Sequence, residues 1–110
     1  MLDKGMKAAS EKLVNSVKET EIYRKYSYQL EKIKRNPELF EKVNEFRQRN
    51  YEIQNTSQGN ELFEKMDAFE REYEKFRENP IVDDFLRAEL AFCRMMQEIN
   101  IYITEKLNFE

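Results

Sequence analysis

Apolar residues recur along this chain at the three- and four-residue steps of a helix, and nowhere in sustained alternation. Over residues 37–54, Leu39, Val43, Phe46 and Ile53 step by four, three and seven, a two-per-heptad seam with Asn50 in the vacant slot. Over residues 61–76, Leu62, Met66, Phe69, Tyr73 and Phe76 keep the same spacing. Between the two seams lies NTSQGN, residues 55–60, which reads as a helix–helix connection with Asn60 as the next N-cap. Two matched seams joined by a short loop predict an antiparallel helical hairpin, the two apolar rows facing each other. Asn50 either fixes the register of that seam or, more commonly for such a residue, sits half-exposed at a helix end.

Both prolines follow an asparagine, at Asn36-Pro37 and Asn79-Pro80. An Asn side chain accepts from an otherwise orphaned backbone N–H at a helix start. Proline at the next position loses nothing by lacking its own N–H, and it turns the preceding residue out of the helical region. Glu38, Asp83 and Asp84 then put negative charge against the positive end of each helix dipole. Both pairs therefore mark helix starts. They are not an internal repeat, because apolar residues are far denser after Pro80: Phe85, Phe92, Met96, Ile99 and Ile103 make one stripe, and Leu86, Leu90, Cys93 and Leu107 widen it. Residues 81–107 would span about 40 Å as a helix, against about 28 Å for each hairpin helix. So long and broad an apolar sector predicts packing on more than one side. Phe85, Leu86, Phe92, Met96, Ile99 and Ile103 are accordingly the expected interface, towards a second copy or a related helical subunit.

The first third is less sharply divided. Met6, Leu13 and Val17 share a face, and Tyr23, Tyr26, Leu30 and Ile33 share another. Thr20 is a candidate cap splitting residues 3–19 from a helix near 21–35, with one continuous bent helix as the alternative. The expectation is an all-α fold over residues 1–110 as one domain. It is a small helical bundle made of a hairpin, a long C-terminal helix and one or two N-terminal helices.

Composition agrees. Of 110 residues 37% are charged and 40% apolar, with only two glycines and two prolines, which suits amphipathic helices and leaves little for turns. No run of 18 apolar residues and no secretory-type leader occurs, so a cytoplasmic location is the default expectation. The net charge of −3 hides an asymmetry: residues 1–35 hold nine Lys/Arg against five Asp/Glu. Lys4, Lys7, Lys12, Lys18, Arg24 and Lys25 could meet an RNA backbone. Their single spacing on solvated faces, the acidic total and the lack of a binding motif make direct nucleic-acid binding the lesser expectation.

Chemistry is scarce. Histidine is absent, which removes the commonest general base and metal ligand. Cys93, set among Phe92, Met95 and Met96, is expected to be a buried, inert thiol, and one thiol cannot hold an iron–sulfur cluster. The acidic pairs Glu61/Glu64, Glu70/Glu74 and Asp83/Asp84 lack the Glu-x-x-His units of a di-metal bundle, and there is no glycine-rich phosphate loop. No catalytic, cofactor-binding or metal-ligating set is expected, and no enzymatic activity.

NPELFEKVNEFRQRNYEIQ followed by NPIVDDFLRAELAFCRMMQEI resembles the YlbF/YmcA family of small helical proteins from Firmicute-type bacteria, over roughly residues 8–107. The most specific positions are Asn36-Pro37 with Phe46, Arg47 and Gln54, then Asn79-Pro80 with Leu86, Ala88, Glu89, Met96 and Ile99. The resemblance implies a non-enzymatic protein that works through assembly. In its best-known branch that means a hetero-oligomer modulating the membrane-tethered endoribonuclease RNase Y, with effects on competence, sporulation and biofilm formation. Some of those members carry further C-terminal cysteines associated with an iron–sulfur cluster, whereas here Cys93 stands alone, so no cluster is carried over.

Overall fold

Two asparagines and one threonine decide where three of the helices begin. In a computed structural model that describes residues 1–108, the chain forms α1 (Lys4–Lys18), α2 (Glu21–Lys34), α3 (Pro37–Thr56), α4 (Gly59–Glu72), α5 (Glu74–Glu78) and α6 (Pro80–Lys106). No strand occurs among the described residues. Asn36 Oδ1 accepts from the Leu39 N–H at 3.2 Å, and Asn79 Oδ1 accepts from the Ile81 N–H at 3.0 Å. Pro37 and Pro80 are the first residues of α3 and α6, as the Asn-Pro reading requires. Thr20 settles the division of the first third. Its Oγ1 donates to the Val17 carbonyl at 2.6 Å and accepts from the Tyr23 N–H at 3.1 Å, closing α1 and opening α2 with one side chain.

The α3–α4 connection departs from the sequence reading. α3 continues through Thr56, the link is only Ser57 and Gln58, and Asn60 lies inside α4. Gln58 at the N-cap makes no side-chain bond. Instead Gly59 turns the chain at φ +59°, where an L side chain would be strained. A second departure is the break at Tyr73 (φ −101°, ψ 9°), which divides the Leu62–Phe76 seam into α4 and α5 without a glycine or proline. Tertiary contact explains it. Phe69 and Tyr73 follow α3, with Phe46 stacked on Phe69 at 5.0 Å and edge-on to Tyr73 at 5.2 Å, while Phe76 swings towards the main core.

That core sits where α2, α3 and the first turns of α6 meet. Ile33, Val43, Val82 and Phe85 are fully buried, with Tyr26, Leu30, Leu39, Phe40, Phe76, Ile81 and Leu86 packed around them. Leu39 and Val43 therefore join this centre, and Phe46 is the α3 seam residue that meets the aromatic row of α4 and α5. α2 runs along α6 in the opposite direction, Ile33 beside Val82 and Phe85 and Tyr23 beside Phe92. Few residues are buried for the chain's length, and the molecule is drawn out, 48 × 37 × 23 Å with a radius of gyration of 17.5 Å. A compact chain of this length would have about 13 Å.

Truncating the side chain at the centre should cost most. Phe85→Ala is expected to lower unfolding free energy by about 3–5 kcal/mol in urea titrations, and Asn79→Ala, which removes only a cap, by about 1 kcal/mol.

Candidate functional site

The 27 residues of α6 span about 40 Å, and the 14 residues of α2 that run along it reach only about 21 Å. One stripe of α6 therefore meets two environments. Over its first turns Val82 and Phe85 are sealed against α2 and α3, and Leu86 packs on the same cluster. Phe92 is half-buried where α2 runs out, stacked on Tyr26 at 4.7 Å and edge-on to Tyr23 at 5.6 Å. Beyond it the stripe opens: Ile99 is half-buried, while Met96 is 42%, Ile103 43% and Leu107 72% exposed.

α1, which precedes α2 along α6 and runs the same way, lies over this open half without sealing it. Leu13 lines a groove of about 450 Å³ with Met95, Ile99, Tyr102 and Ile103. An adjoining groove of about 410 Å³ lies between Met6, Ala9 and Leu13 on one side and Tyr102, Ile103 and Leu107 on the other. α1 has no buried residue; Met6, Leu13 and Val14 all stand exposed on it. The α1 face read from the sequence thus points at α6 but does not close on it.

Two expectations need correction. Phe85, placed in the expected interface with Leu86, Phe92, Met96, Ile99 and Ile103, belongs to the chain's own core and presents no surface. Cys93, expected to be buried, is exposed. The α3–α4 pair diverges from α6, so the flank carrying Leu90 and Cys93 opens onto a hollow of about 290 Å³ shared with Phe46, Met66 and Phe69. Asn50, half-buried within α3, lines the same hollow and accepts from Gln54 Nε2 at 3.3 Å.

One ion pair spans the base of this hollow. Arg47 on α3 reaches Glu89 on α6, donates also to Asn44 Oδ1, and lies 5.7 Å above the Phe85 ring. Both partners are partly shielded from water. Burial, and then the Glu89 charge, push the neighbouring Tyr26 phenol above its ordinary range. The resemblance marked both residues, but neither spacing nor charge pattern joined them, because they are 42 positions apart. Two members of the acidic pairs find cations within their own helices. Glu61 pairs with Lys65 at 2.8 Å, which holds its carboxyl below the usual range, and Asp83 pairs with Arg87 at 2.8 Å. Among the described residues no three His, Cys, Asp or Glu side chains come together as metal ligands.

What the arrangement offers is apolar surface. A family model described as control of competence regulator ComK, YlbF/YmcA, matches residues 6–108. The chain belongs to the YlbF/YmcA family. It is thus a member of a family whose described role is regulatory. Comparison with curated proteins and with solved structures gave no match. No helix among the described residues is long and apolar enough to cross a membrane.

Among the residues that the resemblance marked, Arg47 and Glu89 form the cross-helix pair, while Met96 and Ile99 lie on the open half of α6. Removing Arg47 and Glu89 singly and together should show a coupling of about 1 kcal/mol in a double-mutant cycle, above that of an exposed pair such as Lys65–Glu61. Cys93 should react with a thiol reagent in the native protein at a rate near that of the urea-unfolded chain, as its exposure requires.

Proposed function

We propose that this chain is a non-enzymatic regulatory subunit that acts by binding other proteins, within a complex that modulates RNase Y-dependent RNA processing. The observation that carries the reading is the apolar surface of α1 and the second half of α6. Met6, Leu13, Met96, Ile103 and Leu107 lie there at 41% exposure or more, and the grooves between the two helices are lined mainly by apolar side chains. Contiguous exposed apolar surface of this kind marks sites of protein association. Family membership supplies the regulatory setting. The histidine-free sequence offers none of the usual acid–base machinery, which supports binding over catalysis.

The second reading, RNA contact through the basic first third, has the exposure of Lys4, Lys7, Lys12, Lys18, Arg24 and Lys25 in its favour. Lys25 is already paired with Glu21 at 3.3 Å.

Affinity purification of the tagged chain from its host, with quantitative mass spectrometry, tests the main reading. RNase Y or related helical subunits should be enriched over an untagged control, and Leu13→Glu with Ile103→Glu should abolish the enrichment. Recovery of neither would count against it. Retention of labelled RNA by the purified chain, falling steeply with salt, would favour the second reading instead.

A further inference from the structure

We propose that the hollow between α3, α4 and α6 binds a small apolar monocarboxylate, its hydrocarbon part inside the hollow and its carboxylate on Arg77. The site lies apart from the α1–α6 grooves and does not depend on the assembly reading.

Shape points to a small occupant. The α3–α4 pair diverges from α6 and leaves about 290 Å³ open between them. That is the lower end of the range of small-molecule sites, about 300–1,000 Å³. A single helical turn, about 10 Å across and about 5.4 Å long, would overfill it. The walls are Phe46, Met66, Phe69, Leu86 and Leu90. The Phe46 and Phe69 rings stack on each other at 5.0 Å and give a fixed wall, while the flexible Met66 can follow the outline of what enters. Such a lining favours taking a ring or a short alkyl chain out of water.

Two unspent donors then select an acceptor. Four charged side chains line the hollow, and Arg47 and Glu89 already satisfy each other at its base. Arg77 has no carboxylate partner among the described residues. Its guanidinium lies 5.9 Å above the Phe46 ring, which holds the head at the edge of the apolar wall. Asn50 is the second donor. Its Oδ1 accepts from Gln54 Nε2 at 3.3 Å, and its Nδ2 has no partner among the described residues. A carboxylate matches the planar guanidinium through two parallel hydrogen bonds, and the apolar walls require that it carry a hydrocarbon body.

Glu70 limits the ligand to one charge. It stands exposed at the rim and shares a second depression with Asp67, Arg71 and Glu74. Water screens it from a carboxylate bonded directly to Arg77. A second negative group would face Glu70 and find no unpaired cation in the lining.

Phenylpropanoate is a probe of this chemistry, with phenylpropanamide and phenylpropylamine as its neutral and cationic counterparts. In ¹H–¹⁵N NMR titrations of the full chain it should bind saturably, with a dissociation constant of about 1 mM or lower, and shift the amides of Met66, Leu90 and Cys93. The amide and the amine should bind about fivefold more weakly or worse. Arg77→Gln should weaken phenylpropanoate to the level of the amide, and Leu90→Glu should abolish its binding. Both side chains are exposed, so circular dichroism should show unchanged helix content in each variant. Because Cys93 lines the hollow, its reaction with a thiol reagent should slow as phenylpropanoate fills the site. Absence of saturable binding, equal affinity for the amine, an affinity that Arg77→Gln leaves unchanged, or shifts confined to α1 and the end of α6 would each overturn the proposal.

Discussion

α6 is longer than anything in the chain that packs against it, and the rest of the molecule is arranged around that mismatch. Its first turns supply Val82 and Phe85 to the core, and its aromatic stripe continues to Phe92, beside the first turns of α2. At roughly 25 cal/mol per Å² of apolar surface, burial rewards covering the remainder. Among the described residues α1 is the element positioned to do so, and it covers it incompletely. A stripe of uniform chemistry thus becomes core at one end and surface at the other, only because of where its neighbours stop.

The same division separates stability from function. The core where α2, α3 and α6 meet is small, and cap bonds, the Arg47–Glu89 pair and the Phe46–Phe69–Tyr73 cluster tie helices to it and to one another. None of these groups is free to recognise a partner. The exposed residues of α1 and of late α6 contribute little to the isolated fold and so can be given over to association. Exposed apolar surface on an unsealed helix pair is of the kind that marks protein association.

Cys93 shows how local context can mislead. Flanked by Phe92, Met95 and Met96, it reads as part of a buried face, yet it lies on the flank of α6 from which the α3–α4 pair swings away. Phe85 errs in the other direction: it belongs by periodicity to the stripe that includes Met96 and Ile103, and that stripe is exposed over part of its length only. Periodicity reports which face of a helix is apolar. It does not report what covers that face, since that depends on the lengths and crossing of other helices.

The sequence by itself determined the all-α class, the family, and the starts of α2, α3 and α6. Each start is fixed by chemistry within three residues: a side-chain oxygen on a nearby N–H, joined at α3 and α6 by a proline where no donor is needed. It also marked Met96, Ile99 and Ile103 as candidate surface. Only the tertiary structure decided that the Leu62–Phe76 seam breaks at Tyr73, that Arg47 meets Glu89, that Phe85 turns inward and Cys93 outward, and that α1 stands over α6 without sealing it. Those outcomes depend on contacts between residues far apart in the chain. Local propensity carries no record of them, because the same amphipathic helix is satisfied by any neighbour that removes its apolar face from water.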